Sequence, residues 1–463
     1  MAHHPRNRRG VSRRQVLRSG AAALGGSAAL LAGADTDAQN AQAPFDVAQG
    51  GPAVVTGAQT GRTFRGLVRH DTTLDVQELR LLPIDPRQVV IRSQAVAPCY
   101  TIVRGALGTN RIPRAEVPNH CGFGVVEAVG AMVKRVQVGD RVVVAGTSQC
   151  GQCYQCLHGR PDYCQFTFFS NAPGVEPFAP FAEMRDGTKV YAQAGIGGMS
   201  ELMTAFEEYC VPVFTDLPAG QLTLLGDQLA SGFAAGHADM KFEPGSDVAV
   251  FGCGPVGLGA IQAGKVFGAG QVIAIDPIKY RREFALKMGA TVALDPVAEG
   301  DGIVERVREL CRGPNDRRFA GGVSWGRAGN AVMSRGADFV VEAAGLQTMP
   351  PKVEAQPDPT NVKTVLQAWD CTKAGGHVML MGFTLQPVPF PGVSLALLGR
   401  TIHPGQQGGL HVMRDIPRYV KLIEKGKIDA TSVITKTYTF DQSVQAIEDT
   451  ADRTIITGVI EFA

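Results

Sequence analysis

An excess of charge of either sign is missing from this chain: 45 lysines and arginines stand against 43 aspartates and glutamates in 463 residues. Without a basic excess there is no electrostatic footprint for nucleic acid or another polyanion, and no nucleic-acid partner is expected. The N-terminal apolar run, Ala21 to Ala34, is about fourteen residues and rich in Gly and Ala, short of the ~20 apolar residues a spanning helix needs. No permanent membrane span is expected. Internal repeats and long low-complexity segments are absent too, which excludes solenoids and arrays. What is present, 44% hydrophobic and 19% charged residues, describes a globular protein with ample core.

Acidic residues are also absent from the first eighteen positions, which carry six arginines. They lead into the apolar run and then to an Ala-Gln-Ala ending at Ala43, the three-part layout of a bacterial export signal. The Arg13-Arg14 pair, with Ser12 before it and Val16-Leu17 after it, resembles the twin-arginine type, whose translocon carries folded cargo. The expectation is a signal peptide at 1–43, a linker at 44–60, and a protein delivered folded to the periplasm or secreted. Cleavage after Ala43 removes six arginines together with Asp35 and Asp37, taking the formal charge from +2 to −2.

The remaining ~420 residues suffice for two or three domains. From Thr63 to Val144, short β-type runs such as "VVIRSQAVA", "GVVEAV" and "RVVV" alternate with Gly, Pro and Asp, which predicts a β-rich, barrel-like region. From Asp247 the texture changes to strand, helix, strand: "DVAVFGCG", "PVGLGAIQAGKVFGA", "QVIAID", then a helical "KYRREFALKMGA". Such a βαβ unit belongs to a doubly wound parallel sheet of the Rossmann kind, in an α/β fold. Two stretches read as loop insertions, 313–335 and 347–360, the second rich in proline.

Within that unit Gly252, Gly254 and Gly257 follow a strand directly, and Pro255 and Val256 open the next helix. Glycines there let the backbone approach a pyrophosphate seated at the positive end of the helix. Asp276 ends the following strand nineteen residues after Gly257, where a carboxylate accepts hydrogen bonds from an adenine ribose. It would repel a 2′-phosphate, favouring NAD over NADP, while Arg281 and Arg282 close by pull the other way.

Four of the ten cysteines, Cys150, Cys153, Cys156 and Cys164, form a C-x2-C-x2-C-x7-C array. Four thiolates so spaced can close tetrahedrally on one zinc, leaving no open position, so the metal would be structural. The alternative in an exported protein is a pair of disulfides, which such close spacing strains.

With these motifs the chain resembles the zinc-containing medium-chain alcohol dehydrogenases, over nearly all of its length after residue 61. The resemblance implies a β-rich GroES-like catalytic domain at 61–229, completed by 407–463, and a Rossmann NAD-binding domain at 230–406. It implies a catalytic zinc on Cys99 in "APCYT", His120 in "VPNHCGFG" and Asp227 in "LLGDQLASG". The aspartate in a place often held by cysteine is similar to the formaldehyde dehydrogenase and dismutase branch. Thr101 would hand on the alcohol proton, and Ser231, Arg281 and Arg453 would contact the cofactor. The implied activity is hydride exchange between NAD and a small alcohol or aldehyde whose oxygen the zinc polarises. A homo-oligomer, dimer or tetramer, is the family expectation.

Three positions depart from the family. Ile102 and Cys121 stand where carboxylates usually support the metal, and Arg104 where a histidine often ends the proton relay. Carboxylates around a metal orient its histidine and temper its charge, so their loss leaves the zinc more electrophilic or less firmly held. Two other readings stay open: a resident NAD that serves dismutation or a net non-redox reaction, and a catalytically degenerate protein that only binds zinc and dinucleotide.

Overall fold

The structure, a computed structural model, describes residues 60–166, 179–311 and 335–463. The expected signal peptide, the linker through residue 59, and the 313–335 insertion apart from Arg335 lie outside them. The first ten strands are β1 (Thr63–His70), β2 (Thr73–Leu81), β3 (Gln88–Val96), β4 (Ala115–Val117), β5 (Gly122–Val129), β6 (Arg141–Val144), β7 (Ala182–Met184), β8 (Lys189–Ala192), β9 (Leu202–Phe206) and β10 (Cys210–Pro212). β1, β2, β7, β8 and β4 close a small barrel. Alternate burial at the end of β2 sends Leu79 and Leu81 inward while Glu78 and Arg80 face out, whereas β1 is buried without a break from Gly66 to Arg69.

A second sheet runs β10, β6, β5, β3 and then the C-terminal strands β18 (Thr457–Glu461) and β17 (Ile434–Thr439), with β9 also on β3. The chain end therefore returns to the N-terminal region, Ile460 pairing with Val96. β3 and β5 are antiparallel neighbours, Ala95 opposite Phe123. The residues just past the end of β3 and just before the start of β5, Cys99 and His120, are thereby brought together from 21 positions apart.

The third sheet is wholly parallel: β13 (Val292–Leu294), β12 (Gln271–Ile275), β11 (Asp247–Phe251), β14 (Ala337–Glu342), β15 (Thr372–Leu380) and β16 (Thr401–Pro404). Its central strands are continuous apolar runs, since helices cover both faces. Chain order reverses between β11 and β14, and a crevice opens beyond the strand ends at such a switch point.

Four helices frame the site: α1 (Tyr100–Leu107), α2 (Gln228–Ala235), α3 (Pro255–Val266) and α4 (Lys279–Met288). α2 begins beside Asp227 and is buried along its whole length. It packs so closely on α3 that a Cβ on Gly232 would run into the Val256 carbonyl. This contact ties the helix behind Asp227 to the helix behind the glycine-rich turn. Among the described residues no helix is long and apolar enough to cross a membrane.

Gly232→Ala is expected to push α2 away from α3 at an overpacking cost of about 1–3 kcal/mol. A lower denaturant midpoint checks it, and a midpoint equal to that of the unaltered protein would refute the close-approach argument.

Candidate active site

The crevice at the switch point is a cleft of about 400 Å³. Its floor comes from the turn after β11, with Gly252, Gly254, Pro255 and Val256 on the wall, and from Asp276 at the end of β12. Gly252 has a left-handed φ of +86°, and a Cβ there would come within 2.7 Å of the Ala344 backbone. Gly254 caps α3 and faces open space, with only the Arg281 guanidinium within 4 Å of where a Cβ would stand. That bare spot at the positive end of a twelve-residue helix is a cradle for a diphosphate. Gly257 lies one turn further along α3 and is buried.

The Asp276 carboxylate is held by two backbone donors, the N–H groups of Cys253 at 2.7 Å and Ile278 at 2.8 Å. Arg282 turns away: it donates to the carbonyls of Asp276 and Pro277 and pairs with Asp295 at 2.9 Å. Arg281 stays in the cleft wall, donating to the Ile455 carbonyl and the Tyr280 hydroxyl.

At the far end Cys99, His120 and Asp227 converge, with one ligand atom from each within 4.8 Å of the others. The Thr101 hydroxyl sits 3.1 Å from the Cys99 sulfur and 3.2 Å from His120 Nε2, and Asp227 Oδ2 is 3.9 Å from the same nitrogen. Cys99 and Thr101 are also part of the cleft wall. Burial pushes the Cys99 thiol up, and the Asp227 charge adds to the shift. A thiolate, a carboxylate and an imidazole held this closely fit a divalent cation such as zinc, whose charge offsets theirs.

The chain is similar to known proteins along most of its length. Residues 85–215 match the family described as alcohol dehydrogenase GroES-like domain, and residues 255–425 the family described as zinc-binding dehydrogenase. A geraniol dehydrogenase from Castellaniella defragrans is 31% identical over 394 residues, 84% of this chain and 94% of its own length. The chain belongs to the zinc-binding medium-chain alcohol dehydrogenases. An NDMA-dependent alcohol dehydrogenase from Amycolatopsis methanolica is 28% identical, covering 83% of this chain and 95% of that one. An alcohol dehydrogenase zinc-binding domain protein from Burkholderia ambifaria has the same fold, with a TM-score of 0.72 at 24% identity over 87% of this chain and 99% of its own. As a member of the family the protein is an oxidoreductase whose cofactors are zinc and a nicotinamide dinucleotide.

The four-cysteine lobe offers a second group of side chains that could hold a metal ion. All four thiols are free, with Cys150 and Cys156 sulfurs 4.0 Å apart and Cys153 and Cys164 also 4.0 Å apart. A disulfide would need about 2.05 Å. Four sulfurs at about 2.3 Å from one zinc stand about 3.8 Å from each other, so the cage already has the size of the ion. Burial works to raise the Cys153 thiol, but backbone N–H groups of Cys156 and Gln165 and the neighbouring thiols outweigh it and bring it to about 6.

Ser231, expected at the cofactor, is bonded to Asp227. Its hydroxyl donates to the Asp227 carbonyl one helical turn back and lies 3.4 Å from Asp227 Oδ1. It braces the aspartate, because a serine four residues into a helix reaches the preceding turn. Arg453 does line the cleft. Its guanidinium lies 4.9 Å over the Tyr100 ring and donates to Gln356 at 3.2 Å.

Some supporting residues carry no motif. Asn119, fully buried with φ +76°, accepts the Cys99 N–H at 3.3 Å and donates to the Ala97 and Cys121 carbonyls, lacing the two ligand loops together. Its position before His120 was the available signal, since asparagine is the residue that tolerates this backbone. Gln228 donates to the Pro98 carbonyl at 2.8 Å from the other side. Ile102 and Cys121 are buried. Arg104 faces the cleft.

Asp227→Ala is expected to lower bound zinc from two ions per chain to one, because Cys99 and His120 alone are too few ligands, while the four-cysteine ion remains. Elemental analysis after dialysis checks this, and two retained ions would overturn the ligand assignment.

Proposed function

We propose that the protein oxidises an alcohol or reduces an aldehyde with an NAD molecule that stays bound through many turnovers, on the formaldehyde dehydrogenase and dismutase side of the family. The observation that carries the reading is Thr101, whose hydroxyl touches two of the three metal-ligand candidates while lining the dinucleotide cleft. Zinc and NAD, when bound, supply Lewis-acid polarisation of the substrate oxygen and a hydride acceptor. Cys99, His120 and Asp227 hold the metal, and the turn from Gly252 to Gly257 receives the pyrophosphate at the α3 N-terminus. Asp276 accepts from the adenine ribose and disfavours a 2′-phosphate, with Arg282 already spent on Asp295. Thr101 takes the substrate proton. Arg104 lines the same cleft, but a guanidinium has only donors and offers the proton no acceptor.

Residence of NAD is supported by the 347–360 segment. It lies against the cleft with Thr348, Gln356 and Pro357 on the wall. The Thr348 N–H donates to the Tyr100 hydroxyl at 3.2 Å, Gln356 accepts from Arg453, and Lys352 pairs with Asp452 at 2.6 Å. Two of these contacts tie the segment to residues of the cleft wall, Tyr100 and Arg453, and the third fixes it to the chain next to Arg453.

The export signal fits the same picture. Free NAD is scarce outside the cytoplasm, and bare thiols meet oxidants there. A twin-arginine substrate folds first, so both metals and the nucleotide bind before transport and stabilise the cargo by mass action. The proposal includes delivery to the periplasm or beyond, recycling of NADH in place by a second substrate or a partner, and assembly as a homo-oligomer.

Denaturing protein purified from the periplasm is expected to release close to one NAD per chain, and the untreated protein to dismutate an aldehyde without added nucleotide. Empty protein that turns over only with added NAD would reject residence. Protein that carries both metals yet acts on no alcohol or aldehyde would point to a binding protein.

A further inference from the structure

The carboxylates missing at Ile102 and Cys121 leave His120 without its usual support, and the structure offers another group. On one side of the ring Nε2 meets Thr101 and Asp227. Nδ1 points the other way, over Gly146. A Cβ on Gly146 would be 3.2 Å from His120 Nδ1 and 2.6 Å from the side-chain amide of Gln407. The Gln407 amide and the imidazole nitrogen therefore both border the space that a side chain at 146 would fill.

Gln407 is placed there at a conformational expense. Its φ is +43°, the left-handed region that a non-glycine residue rarely adopts, and its amide is clamped by the buried Thr147 hydroxyl at 2.7 Å. The turn that carries it also presses on α2, since a Cβ on Gly408 would strike the Ser231 carbonyl. One turn thus backs both His120 and the helix that follows Asp227.

We propose that Gln407 is the residue that positions His120 for the catalytic zinc, in place of the missing carboxylates. This rests on the reading of Cys99, His120 and Asp227 as zinc ligands. When Nε2 gives its lone pair to the metal, Nδ1 carries the proton and needs an acceptor. A half-turn of the amide leaves its shape unchanged: the oxygen then accepts from Nδ1–H, directly or through one water, and the NH2 donates to the Thr147 hydroxyl. Gln407 is a positioning residue, acting on the metal only through the ring.

The test uses the full-length protein with its metals bound, dialysed against graded chelator, with zinc counted by elemental analysis and assigned by comparison with Asp227→Ala. Gln407→Gly removes the amide and at the same time suits the left-handed backbone, so thermal stability is expected to hold or rise. The catalytic zinc should nevertheless be lost at about 10–100-fold lower chelator concentration while the four-cysteine zinc is unaffected. Gln407→Glu, which restores an acceptor, should return retention to the level of the unaltered protein or above it. Unchanged retention of the catalytic zinc in Gln407→Gly would overturn the inference, as would loss of both ions together with a fall in melting temperature. A single zinc in the unaltered protein would instead overturn the ligand reading on which the inference stands.

Discussion

A thiol and a carboxylate, Cys99 and Asp227, are held against each other beside His120, and a thiolate can form in that meeting only where a cation offsets the two charges. Burial and the neighbouring charge both hold the Cys99 thiol protonated in the absence of metal. Much of the surrounding architecture can be understood as the means of enforcing this contact. β3 and β5 pair so that their ends deliver Cys99 and His120 together, Asn119 laces the two loops, and Ser231 braces Asp227 from the helix behind it. Metal binding to such a site adds to folding stability because the unfolded chain has no preformed equivalent.

The second consequence is rigidity between metal and nucleotide. α2 starts beside Asp227 and lies in glycine-mediated contact with α3, whose N-terminus forms the diphosphate cradle. The spacing between the Asp227 end of α2 and the N-terminus of α3 is therefore set by backbone-to-backbone packing, which does not flex as side chains do. The four-cysteine lobe is a separate device, with its sulfurs preset at the span of one ion.

Much of this was legible in the sequence because the chemistry is written in local spacing. The cysteine array, the glycine turn after an apolar strand and the aspartate at the next strand end each lie within a few turns of chain, where short-range geometry dictates what they can do. The catalytic ligands could be found only through resemblance, since 107 positions separate His120 from Asp227 and no periodicity links them. The bond from Ser231 to Asp227 belongs to the folded chain, because a sequence match does not say which way a hydroxyl turns in a buried helix. Asn119, Gln356 and Gln407 were not singled out at all. Their roles arise from contacts between distant segments, and amides carry no pattern that distinguishes a brace from a surface residue. The 347–360 segment was visible as an insertion, but its ties to Tyr100, Arg453 and Asp452 belong to the folded chain alone.

The central claim is that zinc-ligated substrate and resident nucleotide exchange a hydride within one cleft. Its most direct measurement supplies a primary alcohol deuterated at the carbinol carbon to the purified protein with no added nucleotide, then isolates the nucleotide after a single turnover and weighs it by mass spectrometry. The account predicts one deuterium in the nicotinamide ring, and none when Asp227 is replaced by alanine. Oxidation of the alcohol with no label in the nucleotide, or full labelling in the Asp227→Ala protein, would contradict it.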